Sequence, residues 1–304
     1  MALILLRQIC MMFLLIALGV FLIKKNFLSE QGGKDLGAIL LRIVIPCVIL
    51  KSYIIDHTPE RAAGLAISAG MALIAFLTAM VISCIIFGKR RRIENFGASF
   101  CNVGFMGIPL VQSVFGDEAV FYLVSYIALL NVFQWTYGVF ILTGDRDVIR
   151  IKRIITNPAI VAFLLGLIIF FLKLPVPKVI VSTLSSIAAM NTPIAMIILG
   201  SYLVKMSVSE MFTSKSAFLC VFVRLVVIPL VTLAVIYMIP GVRMEIRQVI
   251  LIACSTPVGA NVAIFAKQYD KDYRLSVVMV CLSTILCIIT VPAFYMIAER
   301  VMGL

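Results

Sequence analysis

The sequence is poor in charge and nearly devoid of histidine. Of its 304 residues, 13% are charged, fourteen are acidic and one is histidine. Soluble domains carry about 25% charged residues, so this chain has too little polar surface to face water on every side. The shortage excludes a soluble enzyme, a disordered chain and a disulfide-framed secreted module.

Groups that perform catalysis or bind metals are also missing. No HExxH motif occurs, no acidic pair lies within an apolar run, and the one histidine, His57, falls in a predicted loop. The eight cysteines lie inside apolar runs without a CxxC pair, and we interpret them as packing residues. We therefore expect no enzymatic activity, no metal and no cofactor.

Apolar residues are abundant, at 63% of the chain. A helix that crosses a membrane needs about 20 of them in succession. Short polar breaks divide the chain into ten such runs, which predicts an all-α polytopic protein in the lipid bilayer. The predicted spans are 3–23, 35–55, 63–87, 94–115, 118–142, 154–172, 178–203, 215–239, 244–265 and 275–297.

Basic residues exceed acidic residues by 12. Such an excess is typical of proteins that bind nucleic acid or membranes, and the apolar runs favour the membrane and exclude nucleic acid. Of the 26 basic residues, sixteen fall in the loops between spans 1–2, 3–4, 5–6, 7–8 and 9–10, and seven fall on the other side. Since basic loops stay in the cytoplasm, we predict that the first group of loops is cytoplasmic and that both termini lie outside.

The positions of prolines predict an internal repeat. Pro46 and Pro193 are 147 positions apart, and Pro109 and Pro257 are 148 apart. We therefore divide the chain into two five-span repeats, over residues 1–150 and 151–304. Because five is odd, the second repeat enters the membrane from the opposite side. Inverted repeats are typical of secondary transporters, whose substrate site lies near the midplane where broken helices meet.

Spans 4 and 9 contain residues that disfavour a continuous helix. We expect Ser255 or Thr256 to cap a new helix with Pro257 at its first position. The N-terminus of such a half-helix suits an anion. The alternative is a pair of ordinary kinked spans whose asparagines form interhelical hydrogen bonds. The candidate substrate-binding residues of these spans are Asn102, Gly104, Gly107, Pro109, Thr256, Pro257 and Asn261.

Further candidates are polar residues in other spans. Asn131 and Gln134 share a helix face in span 5, and either face a cavity or pack against another helix. Arg224 lies near the middle of span 8, and all fourteen carboxylates lie at or beyond the ends of the spans, so none is deep enough to pair with it. Its partner is either a bound anion or the freed carbonyls of a broken helix. Arg42 and Lys51 lie nearer the ends of span 2, where we expect them to extend to the interface.

Three motifs resemble the auxin efflux carrier family of membrane transport proteins. They are Asn102-Val103-Gly104-Phe105-Met106-Gly107-Ile108-Pro109-Leu110, Asn157-Pro158-Ala159-Ile160, and Thr192-Pro193-Ile194-Ala195-Met196. The resemblance implies ten spans in the bile-acid-symporter-like fold, with spans 1, 2, 6 and 7 as a scaffold and spans 3–5 and 8–10 as a transport domain. It also implies elevator-like movement of small organic anions and a site around the crossing of spans 4 and 9. No carboxylate lies near that crossing, which argues against sodium coupling.

The sequence thus predicts a secondary transporter for a small organic anion in a bacterial inner membrane. A uniporter or channel for a neutral or amphipathic solute is the alternative, and a membrane sensor is a weaker one because the chain offers no output domain. The partners would be the substrate and the bilayer, with a homodimer left open.

Overall fold

A computed structural model describes residues 2–145, 148–149, 151–204, 206 and 208–303. Three of the basic loop residues counted above, Arg146, Arg150 and Lys205, lie outside the described residues. Within the described ranges the regular structure is helical, apart from one isolated two-residue bridge. The all-α prediction is therefore confirmed.

The described part of the first half of the chain contains eight α-helices. They are α1 (Ala2–Lys24), α2 (Glu30–Ile39), α3 (Ile45–Ser52), α4 (Pro59–Phe87), α5 (Arg92–Ser99), α6 (Ile108–Phe115), α7 (Val120–Phe133) and α8 (Val139–Thr143). A 3-10 turn, Asp117–Ala119, precedes α7.

In the second half, the described residues form ten α-helices. They are α9 (Ile151–Ile155), α10 (Pro158–Phe171), α11 (Lys178–Ala189), α12 (Asn191–Leu203), α13 (Val208–Thr213), α14 (Lys215–Phe222), α15 (Ile228–Tyr237), α16 (Met244–Ser255), α17 (Asn261–Gln268) and α18 (Tyr273–Met302).

Each of the ten predicted spans contains helix, but not every span is one uninterrupted helix. Among the described residues, six stretches are continuous, long and apolar enough to cross a membrane: Leu3–Lys24, Pro59–Phe87, Asp117–Thr143, Lys178–Leu203, Lys215–Tyr237 and Tyr273–Met302. Spans 4 and 9 are broken, as α5 followed by α6 and as α16 followed by α17. The inverted relationship of the two halves stays a prediction.

Wide five-residue π-turns interrupt several helices, and proline explains three of them. The turns Leu40–Val44, Val103–Gly107 and Val223–Val227 each lead into a helix whose second residue is proline. Proline lacks an N–H donor, and its ring collides with the carbonyl four residues earlier. A wider turn relieves that collision without ending the helix. The fourth π-turn, Gln134–Gly138, joins α7 to α8 without a proline.

Two glycines allow a close approach between the backbones of α1 and α12. Helix α1 packs along α12, and a Cβ at Gly19 would lie 2.5 Å from the Ile197 carbonyl oxygen. A Cβ at Gly200 would lie 2.9 Å from the Gly19 Cα. Helix α3 packs in turn against α10 and α11. The first contact joins span 1 to span 7, and the second joins span 2 to spans 6 and 7. The family resemblance assigns all four of these spans to the scaffold.

Candidate functional site

The two broken spans cross at their extended segments. Cys101 and Val258 form an isolated antiparallel bridge. The Asn102 N–H donates to the Pro257 carbonyl at 2.8 Å, and the Gly259 N–H donates to the Phe100 carbonyl at 2.9 Å. Backbone that leaves helical geometry inside a membrane must find other partners, and here each segment supplies them to the other.

The sequence around the crossing suits this close contact. A Cβ at Gly259 would lie 3.0 Å from the Cys101 carbonyl oxygen, so only glycine fits without displacement. Pro257 has no N–H that would require an acceptor. Thr256 follows the last residue of α16, and its hydroxyl donates to the Ala253 carbonyl at 2.7 Å. The predicted cap is therefore wrong: Ser255 ends α16, and the next helix begins at Asn261.

The C-terminal ends of two half-helices lie on one side of the crossing, and the N-terminal ends of the other two lie on the opposite side. The C-terminal ends of α5 and α16 lie on one side, where the Arg224 guanidinium donates to the Ala98 carbonyl at 3.1 Å and to the Cys254 carbonyl. The side chain of Arg224 is fully buried. An arginine at this depth costs at least about 2.5–3.5 kcal/mol, and these carbonyls offset the cost. The sequence predicted either a bound anion or the freed carbonyls of a broken helix as the partner of Arg224. In the structure Arg224 donates to the freed carbonyls.

The N-terminal ends line a cavity of about 220 Å³ on the other side. The first N–H groups of a helix have no acceptor within the helix, and they carry a partial positive charge. Both N-terminal ends, at Val103–Gly104 and at Ala260–Asn261, contribute to this central cavity. The remaining wall comes mainly from the π-turn before α3, from α7 and from the start of α10.

Side-chain amides of the central cavity form two pairs. The Asn261 Nδ2 donates to the Gln134 Oε1 at 3.2 Å, and the Asn157 Nδ2 donates to the Asn131 Oδ1 at 3.1 Å. Asn131 also donates to the Ile127 carbonyl at 2.9 Å, so both sides of its amide are engaged.

Two amide donors at the central cavity are left over. The Nδ2 of Asn102 and the Nε2 of Gln134 are buried and have no hydrogen-bond partner within the described residues. Their side chains are 4% and 1% exposed. Burying an unsatisfied N–H is unfavourable, so both amide donors need an acceptor, and the described residues of the chain do not provide one.

The charge of the central cavity comes from one side chain. Among its lining residues, which all lie in the described part of the chain, Arg42 is charged and no carboxylate occurs. Arg42 is an exposed residue at this wall, so its extension to the membrane interface stays a prediction. The π-turn Leu40–Val44, which precedes Pro46, carries Arg42 at the cavity wall. The sequence did contain a signal, since Arg224 likewise lies within a π-turn that precedes a proline.

A second cavity of about 500 Å³ adjoins the first and shares Leu41, Arg42, Phe105 and Ile264 with it. We call this second cavity the vestibule. It is also lined by Glu30 and Lys34, near the beginning of α2. The central cavity thus continues toward the side that holds the loop between spans 1 and 2, which the charge distribution predicts to be cytoplasmic.

The structure brings half of the predicted site residues to the central cavity. These are Asn102, Gly104, Asn131, Gln134 and Asn261. The others support the crossing from outside the cavity wall: Gly107, Pro109, Arg224, Thr256 and Pro257. Arg42 and Asn157 line the cavity and were not among the candidates.

Long apolar helices surround two crossed, broken spans and an internal cavity. This arrangement defines an integral membrane protein of the transporter class. Sequence comparison gives the family. The membrane transport protein family matches residues 4–151 and 146–295, and the chain belongs to it. The resemblance to auxin efflux carriers is thereby confirmed. The chain is also similar to an uncharacterized transporter from Methanothermobacter thermautotrophicus, with 25% identity over 296 residues that cover 91% of this chain and 93% of the relative.

Proposed function

We propose that this protein is a secondary transporter that moves a small organic anion, held by its carboxylate, by alternating access. The observation that supports the proposal most directly is the chemistry of the central cavity. One arginine and two helix N-termini line it without a carboxylate, and two residues of its wall, Asn102 and Gln134, each have a buried amide donor without a partner among the described residues. Every one of these groups favours a negatively charged acceptor.

Arg42 would supply the full charge and the helix N-termini would supply directional donors. Guanidinium binds a carboxylate in a bidentate fork, which gives orientation as well as attraction. Asn102 and Gln134 have donors left over after the amide pairs have formed. At about 220 Å³ the central cavity itself lies below the about 300–1,000 Å³ of drug-sized ligand sites, so the part of the substrate held there would be small.

The movement would be an elevator-like shift of spans 3–5 and 8–10 against spans 1, 2, 6 and 7. Several polar contacts connect these two groups among the described residues, including the hydrogen bond that the Arg153 guanidinium donates to the Tyr269 hydroxyl at 3.4 Å. The Asn191 Nδ2 donates to the Gly104 carbonyl at 3.3 Å, and Asn157 and Asn131 form the pair described above. Lys51 and Asp117 form an ion pair at the far end. Weak contacts of this kind are replaceable, as a sliding interface requires.

The proposal is tested by thermal shift on purified protein with a panel of carboxylic acids and the primary amide of each. We expect one or more acids to raise the melting temperature and the amides to have no effect. Arg42→Gln should abolish the shift, whereas Arg42→Lys should retain part of it because the charge remains. If no acid stabilises the wild type, or if amides act equally well, the anion proposal fails.

A uniporter or channel for a neutral or amphipathic solute is the second candidate, and the apolar share of the cavity wall favours it. Ile45, Leu130 and Trp135 are among the lining residues. Uptake into proteoliposomes distinguishes the two functions. A carrier saturates and exchanges labelled solute against unlabelled solute on the other side, and a channel does neither.

A further inference from the structure

Arg224 contacts the crossing on the side that faces away from the central cavity. It is not part of the cavity wall, and its side chain is fully buried. Its two terminal nitrogens donate to Ala98 and Cys254, which belong to different broken spans. Ala98 is the next-to-last residue of α5, and Cys254 is the next-to-last residue of α16.

The charges at this contact balance. The C-terminal end of a helix carries roughly half a negative elementary charge, and two such ends together carry about one. One guanidinium supplies one positive charge. A planar group with several N–H donors also reaches two carbonyls at once, which an ammonium on a flexible chain does less well.

Neutralising the C-terminal ends leaves the N-terminal ends uncompensated. Those ends lie at Val103–Gly104 and Ala260–Asn261, in the cavity wall. Without Arg224, the negative ends behind the crossing would lower the positive potential that the N-terminal ends create in the cavity. The two ends of each broken span are separated by only a few residues of extended backbone, so this cancellation would be substantial.

We infer that Arg224 is a positioning residue for the candidate site. It holds the C-terminal ends of α5 and α16 together and neutralises them, so that the crossing stays paired and the cavity keeps a positive potential. The effect on the potential deepens the proposed function and rests on it. The effect on the pairing of the crossing does not depend on any substrate.

Hydrogen–deuterium exchange of the full chain in lipid nanodiscs tests the pairing. The reporters are the amides of Asn102 and Gly259, which donate across the bridge. We expect Arg224→Gln to accelerate exchange at both by at least about tenfold, because bonds from a charged donor are stronger than neutral ones. The matched control is Arg247→Gln. Arg247 also binds backbone carbonyls, at Tyr237, Ile239 and Val242, but outside the crossing.

A nitrile probe tests the potential. p-Cyanophenylalanine in place of Phe105, which lines the central cavity, reports the local field through its stretching frequency. We expect this frequency to shift in Arg224→Gln and to return toward the wild-type value in Arg224→Lys, which keeps the charge. A merely structural arginine would not produce rescue that follows charge.

Each result has a defined meaning. If exchange at Asn102 and Gly259 is unchanged in Arg224→Gln, or increases equally in Arg247→Gln, the pairing role is wrong. If the nitrile stretching frequency does not change with the charge at position 224, the electrostatic role of Arg224 is wrong. If Arg224→Gln does not fold, Arg224→Lys still decides the pairing role, because one ammonium should protect the two amides less than the guanidinium does. A failed carboxylate screen would contradict the proposed function and leave the exchange result intact.

Discussion

The Lys51 ammonium lies 2.8 Å from the Asp117 carboxylate, near the end of span 2 that is farther from the vestibule. Lys51 belongs to α3, and Asp117 belongs to the 3-10 turn before α7. The contact therefore joins a span of the proposed scaffold to a span of the proposed transport group. A crevice of about 120 Å³ beside the pair is lined by α3, α6 and α11.

Loss of this ion pair should favour opening at that end. The side chains of Lys51 and Asp117 are 29% and 60% exposed, so the pair contributes at most about 1 kcal/mol. We expect Lys51→Gln to raise the rate of maleimide labelling at Ala188→Cys, in the crevice wall, by up to about fivefold in a cysteine-free background. Lys34→Gln, at the vestibule, is the control and should leave labelling unchanged. If Ala188→Cys is labelled at the same rate with Lys51 and with Lys51→Gln, the ion pair does not restrict access to the crevice.

The close contact between α1 and α12 should not tolerate a methyl group. In Gly19→Ala the new Cβ would lie 2.5 Å from the Ile197 carbonyl oxygen, so the backbones must separate. We expect a loss of about 1–3 kcal/mol, seen as a lower melting temperature. Gly70→Ala is the matched control, because a Cβ there meets nothing within 4 Å. It should leave stability unchanged or raise it, since alanine favours helix by about 0.5–1 kcal/mol. Equal effects of the two substitutions would contradict the packing argument.

The positions of the broken helices could be predicted from the sequence because proline and glycine act locally. Pro109 removes a donor and Gly259 permits close backbone approach wherever the chain places them. Their consequences at a distance could be predicted only in part, since the sequence left two kinds of partner open for Arg224 and did not identify the carbonyls. That Arg224 binds Ala98 and Cys254 depends on which helix ends meet in space, and both residues are far from it in sequence.

The cavity wall illustrates the same limit. Asn131 and Gln134 were predicted to share a face by their spacing, but the two bind different partners. The distance of Arg42 from the end of span 2 predicts that its side chain extends to the interface, but that distance says nothing about the cavity that this exposed residue also lines. The π-turn that carries it to the wall arises from Pro46, so a basic residue just before an intramembrane proline is the pattern that would have indicated it.

The membrane orientation can be tested at two exposed residues on opposite sides. Arg90 lies in the loop between α4 and α5, and Lys173 lies in the loop after α10. The first loop belongs to the side with sixteen basic residues, and the second belongs to the side with seven. In a cysteine-free background, Arg90→Cys should be labelled only by a reagent that enters the cell, and Lys173→Cys by one that does not. Labelling of position 90 from outside would reverse the orientation and make the vestibule face outward.

The last prediction concerns the sign of charge that the central cavity accepts. Asn102→Asp replaces an unpartnered amide donor by a carboxylate of nearly the same shape. Two negative charges about 4 Å apart repel by about 4 kcal/mol at an effective dielectric constant of about 20. We expect binding of the best carboxylate from the thermal-shift panel to weaken by at least about a hundredfold. Asn102→Ala removes only the donor and should weaken binding by about tenfold.

Asn95→Asp is the control for a new charge in the same broken span. Asn95 is buried in α5 and donates to the Gly88 carbonyl, away from the central cavity. Its substitution should lower the melting temperature without selectively reducing the affinity for the carboxylate. A substrate that binds Asn102→Asp as well as it binds Asn102→Ala would not be an anion held at the crossing. It would favour the neutral-solute alternative, because the crossing would then contribute shape and hydrogen bonds but no electrostatic selection.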